Sequence, residues 1–291
     1  QNEFNYDSQH ENKDRIYKVV RDTKSNEYMG NTKRAITAVP LAPALMEDFP
    51  EIEAATRFNN RGDILVKYND ISFMESEGVY ADEYLFEIFS FPLISGDKNN
   101  LLNEPYSVVI TEETSQKYFG GLNPLGEVLN FNNRVDLTVK GVIENIPENS
   151  HVKGDFFISI ETLRSLGDPL DNWGSNNYHT FILLREDSDH RELEQKYPSF
   201  LTSRLENSRW WSGEEDLATY YHQKLTDIHL KADTVFNFRP VSDIKYIYIF
   251  SISAIFILLI ACVNYMNLST AQSLRRAKEV GLRKVIGAQR S

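Results

Sequence analysis

Residues 247–268, IYIFSISAIFILLIACVNYMNL, decide how the rest of this chain is read. They sit in a run of 29 residues, 246–274, that contains no Asp, Glu, Lys or Arg. As a helix, the 22-residue heart of that run would rise about 1.5 Å per residue to roughly 33 Å, the thickness of bilayer hydrocarbon. A core helix of a soluble protein rarely runs so long without a charged face. Tyr246 and Tyr248 lie at one end and Tyr265 near the other, where aromatic belts meet the headgroups. The stretch therefore reads as a transmembrane helix over 246–270.

Working outward, the flanks carry opposite charge. Residues 1–245 hold 25 Lys/Arg against 41 Asp/Glu, whereas residues 246–291 hold six Lys/Arg against Glu279 alone. Arg275, Arg276, Lys278, Arg283 and Lys284 follow the apolar run directly, and positive residues mark the cytoplasmic side of a span. The acidic portion, 1–245, is then expected on the opposite side. The chain opens with Gln1 and shows no earlier apolar run, so export of that portion calls for an upstream signal or helix. The polar opening QNEFNYDSQHEN reads as a juxtamembrane stalk over 1–13.

The exported portion has the makings of a packed core. Of its parent chain, 41% is hydrophobic and 12% aromatic, which excludes a disordered chain. A net charge of −11 argues against nucleic acid as a partner. Cys262 is the single cysteine, so an internal disulfide or a Cys-rich zinc site is excluded.

Short strands and helices alternate along it. Residues 14–22 (DRIYKVVRD) read as a strand, 40–49 as a helix opened by Pro40 and closed by Pro50, and 53–58 and 64–68 as strands. A short helix is expected over 81–89. A strand at 107–111 (SVVIT) should run into a helix over 112–119, capped by Thr111, favoured by Glu112 and Glu113 and stopped by Gly120-Gly121. Residues 127–131 and 134–146 form an expected hairpin around Asn132-Asn133. Beyond Pro147 come strands at 156–160 and 178–185, a helix at 161–166, a helix at 189–206 kinked at Pro198, and a strand over 220–230. The expected architecture is α+β: a first lobe over 14–147, a second over 148–245 that returns to the membrane, the span, and a cytoplasmic segment beginning at 271.

No catalytic constellation emerges. Residues 121–126 (GLNPLG) have the glycine spacing of a phosphate loop, but Glu127-Val128 replaces the Lys-Ser/Thr pair and would repel phosphate. G-x-S-x-G and H-E-x-x-H are absent, and Cys262 lies within the span. On a strand His222 and His229 would face opposite sides, so no metal is expected. Trp173, Trp210 and Trp211 read as packing residues better than as a sugar platform. The sequon at Asn267 falls at the inner end of the span. The one segment that asks for a role is SLRRAKEVGLRKVIGA (273–288), which interleaves basic and apolar residues. Its pattern suits an interfacial anchor or a docking helix equally.

Residues 256–288, FILLIACVNYMNLSTAQSLRRAKEVGLRKVIGA, resemble the second membrane helix and following cytoplasmic segment of the FtsX-like ABC transporter permeases. The exported portion resembles the periplasmic core domain of the MacB-type branch, through GVYAD (78–82), FSFPL (89–93), SVVIT (107–111), FG (119–120) with NPLG (123–126), GVI (141–143), NSH (149–151) and LTDIHL (225–230). The resemblance implies a mechanotransmission subunit of the bacterial inner membrane, with 1–245 in the periplasm. ATP would be bound by a partner ATPase, with no cofactor in this chain and no catalysis of its own. Arg276, Glu279, Gly281, Arg283, Lys284 and Gly287 would contact that ATPase. Membrane lipid, a second permease copy and a periplasmic adaptor complete the implied partners, and efflux, export or lipoprotein handling the implied roles. A single-span receptor or sensor with an acidic ligand-binding domain is the alternative that fits the topology without the resemblance.

Overall fold

A computed structural model of the chain describes residues 5–23, 32–206, 208, 213 and 218–287. Trp210 and Trp211 lie outside the described residues. The structure divides into two compact units, Gln1–Val241 and Ser242–Ser291.

In the first unit the chain runs β1 (Ile16–Asp22), β2 (Lys33–Arg34), β3 (Thr37–Ala38), α1 (Leu41–Asp48), β4 (Ile52–Asn60), β5 (Ile64–Tyr68), β6 (Ile71–Glu75) and β7 (Gly78–Ala81). It continues through α2 (Leu85–Ile88), β8 (Leu93–Gly96), β9 (Ser107–Thr111), α3 (Glu112–Phe119), β10 (Val128–Phe131), β11 (Val135–Ile143) and β12 (Phe156–Ser159). It ends with α4 (Glu161–Ser165), β13 (Asn176–Leu184), α5 (His190–Leu205), β14 (Thr219–Lys224) and α6 (Ile228–Lys231). The second unit is one helix, α7 (Ile244–Val285).

One mixed sheet organises the first unit, in the order β14-β1-β13-β4-β7-β12-β9-β11-β10-β5-β6. Among the strand pairs of the described residues, only β7–β12 and β9–β11 are parallel. Alternation along each strand sends side chains to opposite faces. On β13, Phe181 and Leu183 join a core that also takes Phe58, Leu85, Phe89 and Phe157 and is covered by α2. Ile182 and Leu184 join a different core on the other face, under α1 and α5, with Leu45, Tyr197 and Phe200. Farther along the sheet, Val108, Ile110, Phe156 and Ile158 pack beneath α3 with Tyr118 and Phe119. Among the described residues one face thus carries a single core, while the opposite face carries three, the third formed by Val39, Ile160, Leu163, Leu170 and Tyr178. The mixed sheet with its helices is of the expected α+β class.

The lobes do not divide the chain at 147–155. β12, beyond that point, is inserted between β7 and β9, and β13 lies between β1 and β4. Each lobe therefore draws strands from both sides of the expected boundary. Residues 5–13 are likewise no free stalk, because Asp7 and His10 are buried in the first unit. The helix expected over 81–89 is shorter, since GVYA (78–81) pairs with β12 as a strand and only Leu85–Ile88 turns helical. The strand expected over 220–230 stops at Lys224; a 3₁₀ turn (Leu225–Asp227) and α6 follow, so His229 is on a helix.

Local signals otherwise behave as their chemistry demands. The Thr111 side chain accepts from the Thr114 N–H at the start of α3, and Gly120 ends that helix with φ +61°. Asn132 and Asn133 both adopt positive φ in the β10–β11 turn. Asp189 caps α5, which carries Pro198 internally.

Candidate functional site

Two segments bracket the core domain, the residues before β1 and those between α6 and α7. Both are tied tightly to the domain. At the first, the Asp7 carboxylate is fully buried; it accepts from the His151 N–H (2.8 Å) and the Ser150 hydroxyl (3.3 Å), and pairs with His151 Nδ1. The Asp7 N–H donates to Asn149 O (2.9 Å), and His10 Nδ1 accepts from the Ser90 N–H (3.2 Å). The Tyr6 ring stacks on His229 of α6 at 3.6 Å and lies 4.9 Å from His151. The incoming segment therefore packs on α6, the element that leads into the outgoing segment.

The outgoing segment is pinned along its length. The Val235 N–H donates to Lys33 O and Val235 O accepts from the Ala35 N–H, at 3.0 and 2.9 Å. Lys18, almost wholly buried on β1, donates to Asn237 Oδ1 (2.9 Å), and burial lowers its pKa to about 7. Phe238 packs edge-on against Phe58 and His179 at 5.0 and 5.3 Å. Arg239 pairs with Glu77, the residue that also receives the Asp155 N–H beside β12. Burial lowers the His179 pKa to about 3, with the Lys18 charge acting in the same direction.

The helix α7 has a mean hydropathy of 2.6 in its most apolar window, and is long and apolar enough to cross a membrane. It continues without a break through the basic segment to Val285, past the expected end of the span at 270. At about 100° per residue, Arg276, Glu279, Arg283 and Lys284 fall within an arc of roughly 140°, and Gly281 about 60° beyond it. Val285 falls on the opposite side, and Leu282 lies about 60° beyond the other edge of the arc. Arg283 and Lys284 occupy the last turn, where cations offset the negative end of the helix dipole. Gly287 follows with φ +79°, the left-handed conformation that terminates helices. The fold thus gathers Arg276, Glu279, Arg283 and Lys284 on one exposed face and leaves Gly281 at its flank.

The sequence profile of the MacB-like periplasmic core domain matches residues 1–197, more than half of the chain. This chain belongs to the MacB-like periplasmic core domain family. Among solved structures, a Porphyromonas gingivalis domain assigned to a permease is similar at 21% identity and a TM-score of 0.62, covering 74% of this chain and 93% of its own. The periplasmic region of MacB from Actinobacillus actinomycetemcomitans is similar at 14% identity and a TM-score of 0.52, covering 74% and 90%. Both likenesses concern the fold. No curated relative matches the chain at the level of sequence.

Two further polar clusters of the MacB-like domain were missed in the sequence. Arg57 is buried on β4 beside Asp82 (Nε–Oδ2 3.2 Å) and donates to Val39 O, at the floor of a cleft of about 570 Å³ that Tyr84, Glu161 and Arg164 also line. Burial raises the Asp82 pKa although Arg57 opposes it. Arg57 and Asp82 chiefly satisfy each other and the backbone, a structural pairing. The second cluster is His190 and Glu194 of α5 with His222 of β14, whose ligating atoms lie within 4.8 Å of one another. His222 was weighed in the sequence only against His229, on the opposite face of an expected strand, and no metal was expected there. The signal that would have found the cluster is the i,i+4 spacing of His190 and Glu194. Trp173 packs at the edge of the α1–α5 core, 6.3 Å from Phe200.

Proposed function

We propose that this chain is the membrane-anchored, periplasmic portion of an ABC transporter permease and that its core domain passes on mechanical motion rather than performing chemistry. The observation that carries this reading is the cross-bracing of the incoming and outgoing segments. Tyr6 meets His229, Asp7 holds His151, Asn237 holds Lys18, and Arg239 holds Glu77. A displacement of α7 travels through the covalent connection after Val241 to a segment fastened to the domain at Val235, Asn237, Phe238 and Arg239. A densely packed interior moves as a body instead of absorbing such strain.

On this reading a cytoplasmic ABC ATPase binds and hydrolyses ATP, and its motion enters through the face formed by Arg276, Glu279, Arg283 and Lys284, with Gly281 and Gly287 allowing close approach. The domain stands on the periplasmic side of the inner membrane and works beside a second permease copy, with a periplasmic adaptor as a further partner.

The test uses the intact protein in its native membrane. Affinity capture should bring down an ATPase subunit or display a fused one. Replacing Arg283 and Lys284 by Glu reverses the charge of that face and should abolish coupling between ATP hydrolysis and transport, leaving expression and thermal stability of the protein unchanged. Full coupled activity in the double variant would overturn the assignment of this face. Capture of a signalling protein in place of an ATPase would overturn the transporter reading itself.

A further inference from the structure

We propose that His190, Glu194 and His222 form a Zn²⁺ site that staples the first turn of α5 to the edge strand β14. Glu194 Oε1 lies 3.4 Å from His190 Nδ1 and 3.4 Å from His222 Nδ1. Those separations are long for charge-assisted hydrogen bonds, which close to about 2.7–2.9 Å. They match the edge of a tetrahedron whose metal–ligand bonds are about 2.0–2.1 Å, an edge of roughly 3.3 Å. Two imidazoles and a carboxylate are the donor set of three-ligand zinc sites, which keep a fourth position for water. His190 and Glu194 remain partly exposed, so water has access to that position.

The local architecture presents these atoms. His190 and Glu194 are one helical turn apart, so both side chains leave the same face of α5. β14 runs beside this face, and its His222 N–H donates to Glu194 Oε1 at 2.7 Å, which orients the carboxylate.

The second nitrogen of His222 supplies the support that metal-bound histidines require. Its Nε2 is 2.6 Å from the hydroxyl of Tyr197, a fully buried residue of α5. Without an ion, Nδ1–H donates to His190 O (3.1 Å) and Nε2 accepts from Tyr197. With the ion on Nδ1, the proton sits on Nε2 and donates to the Tyr197 oxygen. Both tautomers keep the Tyr197 oxygen in a hydrogen bond with Nε2, as donor without the ion and as acceptor with it. The strand so fastened, β14, leads directly into the turn and α6 that carry His229, and the ion stiffens this path.

The experiment uses the full chain in detergent, purified without a polyhistidine tag and stripped with a chelator. Calorimetric titration with Zn²⁺ should give one ion per chain with a dissociation constant below about 10 µM, and Co²⁺ should give the visible bands of a tetrahedral complex. His190→Ala and Glu194→Gln, both at half-exposed positions, should each weaken binding at least ~10-fold, and Tyr197→Phe should do so by about 10-fold through the outer hydrogen bond. The same preparations, checked by circular dichroism, show whether each variant is folded; Glu194→Gln preserves shape and serves if His190→Ala unfolds. Absence of a one-to-one complex at ~100 µM Zn²⁺, or equal affinity in wild type, His190→Ala and Glu194→Gln, would overturn the proposal.

Discussion

Asp7 offers the sharpest test of how the opening segment is held to the domain. As part of a free stalk it would contribute nothing to stability. In the structure it is fully buried, accepts hydrogen bonds from the His151 N–H and the Ser150 hydroxyl, and pairs with the His151 ring. Asp7→Ala leaves the His151 N–H and the His151 ring nitrogen without their acceptor in a place water does not reach, while the Ser150 hydroxyl keeps Val152 O at 2.9 Å. Leaving a buried donor unsatisfied costs about 1–3 kcal/mol, so the two together come to about 2–6 kcal/mol. For a domain of this size each kcal/mol lowers Tm by about 2–4 °C, so a fall on the order of 10 °C is expected. The loss is capped by the free energy of docking the segment, since residues 5–13 can detach while the sheet stays folded. Hydrogen exchange separates the two outcomes: detachment exposes the amides of His151 and of the opening segment, while those of β13 remain protected. The measurement is a denaturant melt of wild type and Asp7→Ala in the same detergent, with exchange read by mass spectrometry. A stability change under about 0.5 kcal/mol, the scatter of ordinary surface substitutions, together with unchanged exchange at His151, would refute the brace.

Stability should also fall in mild acid. Burial lowers the His10 pKa to about 4, against the opposing charge of Asp7, and the His179 pKa to about 3. The unfolded chain takes up both protons near pH 6.5 while the folded domain refuses them, so this stability is complete above pH 6.5 and is lost as pH falls toward 4 and below. Denaturant midpoints measured from pH 7.5 down to 4.5 should decline, and His10→Gln, which can still accept from the Ser90 N–H, should flatten the slope; an unaltered slope would contradict its burial as a neutral ring. At the start of α3, Thr111→Ala should cost ~1 kcal/mol by removing the cap, whereas Thr111→Ser should be nearly silent in the same melt. In the β10–β11 turn, Asn133→Val forces a branched side chain into positive φ and should cost about 1–2 kcal/mol, while Asn133→Gly should stay within a few tenths.

The elements legible in the sequence are those whose causes lie within a few residues. α7 follows from an uncharged run longer than a bilayer is thick, and α3 from a Thr cap, two acidic residues in its first turn and a terminal glycine. The β10–β11 hairpin follows from two asparagines that tolerate left-handed backbone, and family membership from short motifs in a set order along the chain. Among the strands missed, β6 and β8 lack such marks: β6 is mostly exposed, and β8 is four residues ending in a glycine whose added Cβ would strike the backbone of β11.

What only the tertiary structure decided are the pairings between distant residues. Asp7 meets His151 across 144 positions, and Lys18 meets Asn237 across 219. In sequence each is one polar residue among many, and the 1–13 stretch read as a stalk because its composition is polar. Burial reverses that meaning, since a charge withdrawn from water stays only where a partner has been placed for it. The same holds for His222: strand periodicity set it against His229, whereas the fold ends the strand early and turns it toward His190 and Glu194. Local chemistry chooses helix, turn and membrane span, but strand order chooses which side chains share a dielectric, and on that choice the brace and the ion site both depend.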